Sequence, residues 1–425
     1  MLDRTKAPQV YPFEHRTLPA ENIRHLSNGL TLHFHSGGDQ PVGNLRILFR
    51  SGALDSALPV LPRMALDLLV EGSSRYTGEQ IADTLDFNGA RLVSQSSPHH
   101  SGVDILFLNS SFPDLAPVLQ SLLTEPLFDR HNISTGRQRA ISNLRLNQSK
   151  VSYIASTALD RMLCGAGHPA AKTATAEEIE SISQDDILFF HRHLLNARGA
   201  HAYLSGRLDD SLIDKIEKFL ETLPASDIGT DIRIHHYEPQ PPGRLFTPKA
   251  DSLQATVCAG IPAIGRNHPD YIPLRLAVMA LGGYFGSRLM SNIREEKGLT
   301  YNISAYLSGA YEGSHICISA QCDNLTADTV VDEIGKELSS LADNPPSGDE
   351  LRRLKLYAST SLVEILDSPM SVMSYYSTSL VANIPDGYFE AQQRAIAALT
   401  PEIISEMARK YLRPDLLRIS VAGNV

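Results

Sequence analysis

The sequence contains one pattern twice, and this duplication constrains the fold more than any other feature. Ile179–Leu208 aligns without a gap to Ile396–Val425, at an offset of 217 residues. In each copy a hydroxyl residue, Ser183 or Thr400, precedes an amphipathic helix, and a polar turn then leads into an alternating strand. A Ser or Thr at that place caps the free amides of the first helical turn. The chain is therefore expected to fold twice into the same unit.

A weaker repeat supports the same interpretation. Asp86–Ser97 matches Glu295–Tyr306 at an offset of 209 residues, and in both a helix ends at a glycine, Gly89 or Gly298, before an alternating strand. Glycine suits a helix end because it adopts the left-handed conformation at little cost. A further strand is predicted after each of these, over Val103–Leu108 and Ile316–Ala320.

These repeats predict an α+β fold with two homologous domains, each a mostly antiparallel sheet packed with helices. Strands come in adjacent runs rather than in strict alternation with helices, which favours such sheets. The predicted domains are residues 1–223 and 249–425, joined by a linker over residues 224–248. The linker is rich in Pro and Gly, and Pro239, Pro241 and Pro242 cannot lie inside a helix or a central strand.

Charge and cysteine content exclude several classes of protein. With 38 Lys and Arg against 48 Asp and Glu, the net charge is −10, which argues against a nucleic-acid or anionic-membrane partner. The four cysteines lack a C-x-x-C spacing and are expected to be buried free thiols. Residues 1–20 carry no apolar signal-peptide core, and no stretch is typical of a membrane span, so we expect a cytoplasmic protein.

A search for catalytic motifs finds no HExxH and no HxxEH. One segment, Arg294–Tyr301, is more informative, because Arg294 falls in the last turns of a helix that stops at Gly298 and Tyr301 falls on the next strand. A guanidinium and a phenol brought together by this turn can hold a peptide carbonyl or an oxyanion. Spacing alone leaves a purely structural role for both residues open.

Together, the duplication and this segment resemble the pitrilysin/insulinase family of zinc peptidases. The motif GGYFGSRLMSNIREEKGLTY, residues 282–301, is close to the family pattern, and the resemblance extends from Asn28–Leu30 to the terminal GNV. The chain resembles the short-subunit branch, in which two subunits, each a pair of homologous domains, close around a peptide chamber.

The family's catalytic motif, an inverted HxxEH on a helix, is replaced in this sequence. In the corresponding segment, LPRMALDLLVEGSSRYT, the motif positions hold Arg63, Leu66 and Asp67, and the distal ligand position falls near Asn143. Arginine cannot ligate zinc, and leucine has no atom that accepts a proton. We therefore expect no metal in this chain and no metallopeptidase activity from it alone.

The resemblance implies that the other half of the machinery is retained. Arg294 and Tyr301 would bind substrate backbone and stabilise the oxyanion, with Arg288 as a substrate-binding neighbour. The implied function is a noncatalytic subunit of a heterodimeric zinc endopeptidase whose zinc lies in a similar-sized partner bearing HxxEH. Two alternatives stay open: an inert structural or assembly subunit, like the peptidase-related core subunits of respiratory complexes, and a stand-alone peptide-binding protein.

Overall fold

A computed structural model describes residues 14–194, 196–226, 232–309 and 313–424. Most of the N-terminal segment used for the localisation prediction and part of the predicted linker lie outside these ranges. The strands are β1 Asn22–His25, β2 Thr31–Ser36, β3 Val42–Phe49, β4 Arg91–Ser96, β5 Ser101–Leu108, β6 His201–Gly206, β7 Gly243–Pro248, β8 Gln254–Ala263, β9 Thr300–Gly309, β10 Ser314–Asp323 and β11 Arg418–Gly423.

The α-helices are α1 Leu61–Asp67, α2 Gly78–Phe87, α3 Phe112–Thr124, α4 Arg130–Gln148, α5 Val151–Cys164, α6 Ala176–Ser181, α7 Gln184–Leu194, α8 Asp210–Glu221, α9 Tyr271–Gly282, α10 Ala327–Asp343, α11 Gly348–Val363, α12 Pro369–Val381, α13 Tyr388–Ala398 and α14 Pro401–Tyr411. A π-helical segment spans Met290–Glu296, and short 3₁₀ turns join several elements. None of the described helices combines the length and the apolar character that a bilayer crossing requires.

The strands form two sheets with equivalent orders. The first sheet is β1-β2-β6-β3-β5-β4, and the second is β7-β11-β8-β10-β9. If β1 is set aside, the two strand orders correspond position by position. In the first half the last strand, β6, lies between β2 and β3, and in the second half the last strand, β11, lies between β7 and β8. One pair in each sheet is parallel, β2 with β6 and β7 with β11, and the other pairs are antiparallel. The predicted α+β fold with an internal duplication is confirmed.

The helix starts, the helix caps and the left-handed glycines of the two repeats lie at the positions that the sequence predicts. Helices α7 and α14 begin 217 residues apart, as do β6 and β11. The Ser183 hydroxyl accepts a hydrogen bond from the amide of Asp186 (3.1 Å), and Thr400 accepts one from Ile403 (3.4 Å). Gly89 and Gly298 have φ of +59° and +61°, and the following strands, β4 and β9, each begin two residues later.

The predicted linker contains a strand. Its last six residues form β7, an exposed edge strand of the second sheet that ends at Pro248. Proline is tolerated there because an edge strand has no second neighbour that needs its missing amide. Before β7, the amides of Glu238 and Gln240 donate to the carbonyls of Cys164 and Met162 at the end of α5. The exact domain boundaries stay a prediction.

Each half places one helix on the sheet of the other half. On the first sheet, Ile47 faces that half's own core, whereas Leu48 faces outward and packs against Met373 of α12. On the second sheet, Val257 faces its own core and Cys258 packs against Leu163 of α5. Because strand residues alternate between faces, both faces of each sheet are covered, one by the half's own helices and one by a helix of the other half.

All four cysteines are free and buried, as predicted.

Candidate functional site

The Arg294 and Tyr301 side chains meet at the surface of the second half. Arg294 lies in the π-helical segment, the chain turns at Gly298, and Tyr301 is the second residue of β9. The Arg294 guanidinium carbon lies 5.6 Å from the centre of the Tyr301 ring and 4.8 Å from that of Phe285. Both distances fall within the range of cation–π contacts. The helix–turn–strand step therefore brings the predicted pair together, and Phe285 is a third member that the sequence did not identify.

The rings of this cluster are open to solvent. Tyr301 is 84% exposed and Phe285 is 62% exposed. Within the described residues, neither the Arg294 guanidinium nor the Tyr301 hydroxyl forms a hydrogen bond or an ion pair. The cluster therefore presents a guanidinium oriented by two rings together with a phenol, and the donors of both groups are available to an acceptor outside the chain.

A buried carboxylate anchors the segment that carries Arg294. Glu333 on α10 is only 5% exposed, and it pairs with Lys297 and with Lys336. The side-chain amide of Asn292 donates to Glu333 (3.1 Å) and to Glu337 (2.7 Å). Hydrogen bonds from Lys297 and then Lys336 lower the pKa of Glu333 to about 2. These contacts fix both ends of the turn, and π-helical segments of this kind are frequent at functional sites.

Arg288 is placed differently. Only 14% of its side chain is exposed, and its guanidinium donates to the Glu350 carboxylate (3.2 Å) and to the carbonyl of Asn344 (2.9 Å). These bonds tie the start of the Arg294 helix to the end of α10 and the start of α11. The structure does not bring Arg288 into the Arg294–Tyr301 cluster, and its predicted role in substrate binding stays a prediction.

Three of the four replaced zinc-motif positions share one cleft in the first half. The Nε of Arg63 lies 2.9 Å from both oxygens of Asp67, one turn along α1, and Asn143 reaches the same cleft from α4. Leu66 is 1% exposed and belongs to the hydrophobic core. These positions do not fit zinc, because their one carboxylate, that of Asp67, is paired with an arginine and a neutral amide is a weak ligand. Among the described residues, no three His, Cys, Asp or Glu side chains form a metal-binding group.

The cleft has a volume of about 520 Å³ and is lined by α1, α4, α5 and the residues that follow α5. All of its lining residues belong to the first half, so Arg294 and Tyr301 do not face it. Asp160 of α5 also lines it, and burial raises the pKa of this carboxyl to about 6. Asp160 was not identified from the sequence. The sequence feature that could have pointed to it is helical spacing, because Tyr153, Thr157 and Asp160 fall on one face of α5.

The chain is similar to several known proteins. Residues 181–356 match the family described as Peptidase M16 inactive domain. The chain is 21% identical over 363 residues to a Bacillus subtilis protein described as an uncharacterized zinc protease, YmxG, covering 84% of this chain and 87% of that protein. It is 25% identical over 269 residues to a Helicobacter pylori non-peptidase homologue of the same name, covering 62% and 61%.

A solved structure shows the same fold. The crystal structure of a peptidase M16 inactive domain from Pseudomonas fluorescens superposes with a TM-score of 0.85 at 21% identity, covering 96% of this chain and 98% of that one. The architecture and this superposition together define a fold of two similar halves like that of the M16 inactive domain. The family match is thus to the inactive domain of the M16 peptidases, and the relatives similar to this chain are described both as a zinc protease and as a non-peptidase homologue.

Proposed function

We propose that this chain is the noncatalytic, substrate-binding subunit of a heterodimeric zinc metalloendopeptidase that acts on peptides. The zinc and the general base belong to a partner subunit of similar size that bears HxxEH. The partners are that subunit and its peptide substrates, not nucleic acid or a membrane, and the complex acts in the cytoplasm.

One observation carries this proposal. The Arg294 guanidinium is oriented by Phe285 and Tyr301 and has no partner for its donors among the described residues. An arginine that only stabilised the fold would be expected to pair with a carboxylate or carbonyl of its own chain, as Arg288 does. The cluster also lies apart from the chain's own cleft, so the peptide group that it binds is expected to belong to a complex with another subunit.

The chemistry required of this chain is electrostatic. When a zinc-bound water attacks a peptide carbonyl, negative charge develops on the carbonyl oxygen, and preorganised donors stabilise that charge. Arg294 supplies a fixed charge with several donors, and Tyr301 supplies one hydroxyl donor. Orientation by two rings lowers the conformational entropy that the arginine loses when it binds substrate.

The first experiment is purification of the tagged chain from its native cell in mild salt, with mass spectrometry of stoichiometric partners. A co-purifying subunit that bears HxxEH supports the proposal. Partners without a zinc motif would support the structural alternative, and recovery of the chain alone would support stand-alone peptide binding.

The second experiment is Tyr301→Phe in the reconstituted pair. Removal of one oxyanion donor should lower kcat about 100-fold, as single-donor deletions do in other hydrolases. Tyr76→Phe is the matched control, because Tyr76 lies in the first half outside the cluster, and its kcat should equal that of the wild type. Wild-type turnover by Tyr301→Phe would contradict the assigned role.

A further inference from the structure

The cleft at the predicted zinc-motif positions is open and partly apolar, and the loss of a zinc ion does not by itself require such a cleft. It is open to solvent on the α4 side, where Asn143 is exposed, and apolar side chains such as Met64, Leu68 and Leu144 form part of its wall. A volume of about 520 Å³ is within the range of small-molecule and side-chain sites. If the replacing residues served only to pack the fold, their side chains would be expected to fill this cleft.

The cations that line the cleft already have partners. Arg63 pairs with Asp67 at 2.9 Å and Arg139 pairs with Glu71 at 2.6 Å. Lys172 lies 3.5 Å from a carboxylate oxygen of Glu178 and donates to the carbonyl of Ala57 (3.2 Å). Each positive charge is thus balanced by a carboxylate, and the lining offers no free cation to an anionic ligand.

Asp160 is the exception among the lining charges. Within the described residues its carboxylate forms no hydrogen bond and no ion pair, although burial raises its pKa to about 6. On the side of the second sheet its neighbours include Cys258, Cys317 and Tyr306, which are neutral because burial raises the pKa of each of them. A partly desolvated carboxylate without a partner is costly, and a cation that enters the cleft would remove that cost.

Two other polar groups of the cleft lining narrow the chemistry of the ligand. The Asn143 side chain and the Tyr153 hydroxyl line the same cleft, and neither forms a side-chain hydrogen bond within the described residues. Together with the Asp160 carboxylate they give the cleft lining several acceptor groups. An ammonium group has three donors, and an aliphatic stem suits the apolar wall.

We propose that the cleft between α1, α4 and α5 binds an alkylammonium group, the chemistry of a lysine side chain in a peptide, with Asp160 as its counter-ion. The site is separate from the Arg294–Tyr301 cluster and requires no partner subunit. It therefore gives the isolated chain a preference for lysine-containing peptides, whether or not the proposed heterodimer exists.

The test is calorimetric titration of the isolated full chain with two blocked pentapeptides, acetyl-Gly-Gly-Lys-Gly-Gly-amide and the same peptide with norleucine. Norleucine keeps the aliphatic stem and lacks the charge, so contacts made elsewhere on the protein cancel in the comparison. The lysine peptide should bind at least about tenfold more tightly, the effect of one partly desolvated charge pair. Its affinity should rise as the pH rises through about 6, because Asp160 then ionises.

Three variants locate the preference. Asp160→Asn should reduce the lysine-to-norleucine ratio of affinities to about one, whereas Asp114→Asn, at an exposed position of α3, should keep the wild-type ratio. Thr157→Phe leaves Asp160 in place and fills the cleft, so it should also abolish the preference. Equal binding of the two wild-type peptides, a lysine preference that survives Asp160→Asn, or tighter binding of a glutamate or arginine peptide would overturn the proposal.

Discussion

The two halves share a strand order, yet the sites that they carry differ in how their charges are satisfied. In the first half, Arg63 is paired with Asp67, and Asp160 is the charged group of the cleft lining that has no partner among the described residues. In the second half, the supporting charges are paired around Glu333, and the donors of Arg294 and Tyr301 have no partner among the described residues. A duplicated fold therefore sets the backbone geometry of a site, but it does not determine which side chains the site carries. The first site presents an acceptor and the second presents donors.

The buried carboxylates of the two sites have opposite effects on stability. Burial without a partner raises the pKa of Asp160 to about 6, whereas hydrogen bonds from Lys297 and Lys336 lower the pKa of Glu333 to about 2. A raised carboxyl pKa means that ionisation destabilises the folded state, and a lowered one means that ionisation stabilises it. The dependence of stability on pH therefore distinguishes the two halves.

The largest effect is expected from Asp160→Asn. The folded-state pKa of about 6 lies above the ordinary 3.8, so wild-type stability should fall as the pH rises from about 4 to 6 and stay low above that. The variant lacks this loss and should be more stable by about 2–3 kcal/mol at pH 7, with little difference below pH 4. Urea unfolding of both proteins at a series of pH values measures this difference in the free energy of unfolding. Asp114→Asn is the control, and a destabilised Asp160→Asn at pH 7 would show that the carboxylate has a partner in the folded state.

Glu333→Gln should act in the opposite direction. Ionised Glu333 contributes stability that is fully present above the ordinary pKa of 4.5 and is lost as the pH falls toward 2. Since both lysine partners are partly exposed, we expect a loss of about 2 kcal/mol at pH 7 and almost none near pH 2. Glu296→Gln, at an exposed position of the same helical segment, should change stability little. Equal stability of Glu333→Gln and wild type at pH 7 would remove the proposed anchor of the Arg294 segment.

The smallest change in stability is expected from substitutions at the two equivalent glycines, Gly89 and Gly298. Gly89→Ala and Gly298→Ala should each cost about 1 kcal/mol, because both positions are left-handed and an added Cβ meets nothing closer than 3.8 Å. Gly335→Ala, inside α10 with open space around it, should instead stabilise slightly. In the reconstituted pair, only Gly298→Ala should also lower kcat, since that turn sets Arg294 against Tyr301. Equal losses of kcat from Gly89→Ala and Gly298→Ala would contradict this asymmetry.

Much of the fold was accessible from the sequence because its signals are local. The caps at Ser183 and Thr400 and the left-handed glycines at 89 and 298 depend on residues a few positions away, and all four are where the repeats place them. Strand β7 escaped prediction because it is a short, exposed edge strand within a Pro- and Gly-rich segment. Its conformation is set by β11, which pairs with it from the far end of the chain.

The sequence by itself predicted the duplicated architecture, the residues 63, 66 and 67 at the positions where the resembled family has its zinc motif, and the proximity of Arg294 to Tyr301. The tertiary structure alone decided that α5 and α12 each cover the sheet of the other half, that Arg288 is bound to Glu350, and that Asp160 has no partner in the described part of the chain. The physical reason is the range of the interactions. Periodicity and turns act over a few residues, whereas the desolvation and pairing of a charge depend on groups that only the folded chain brings together.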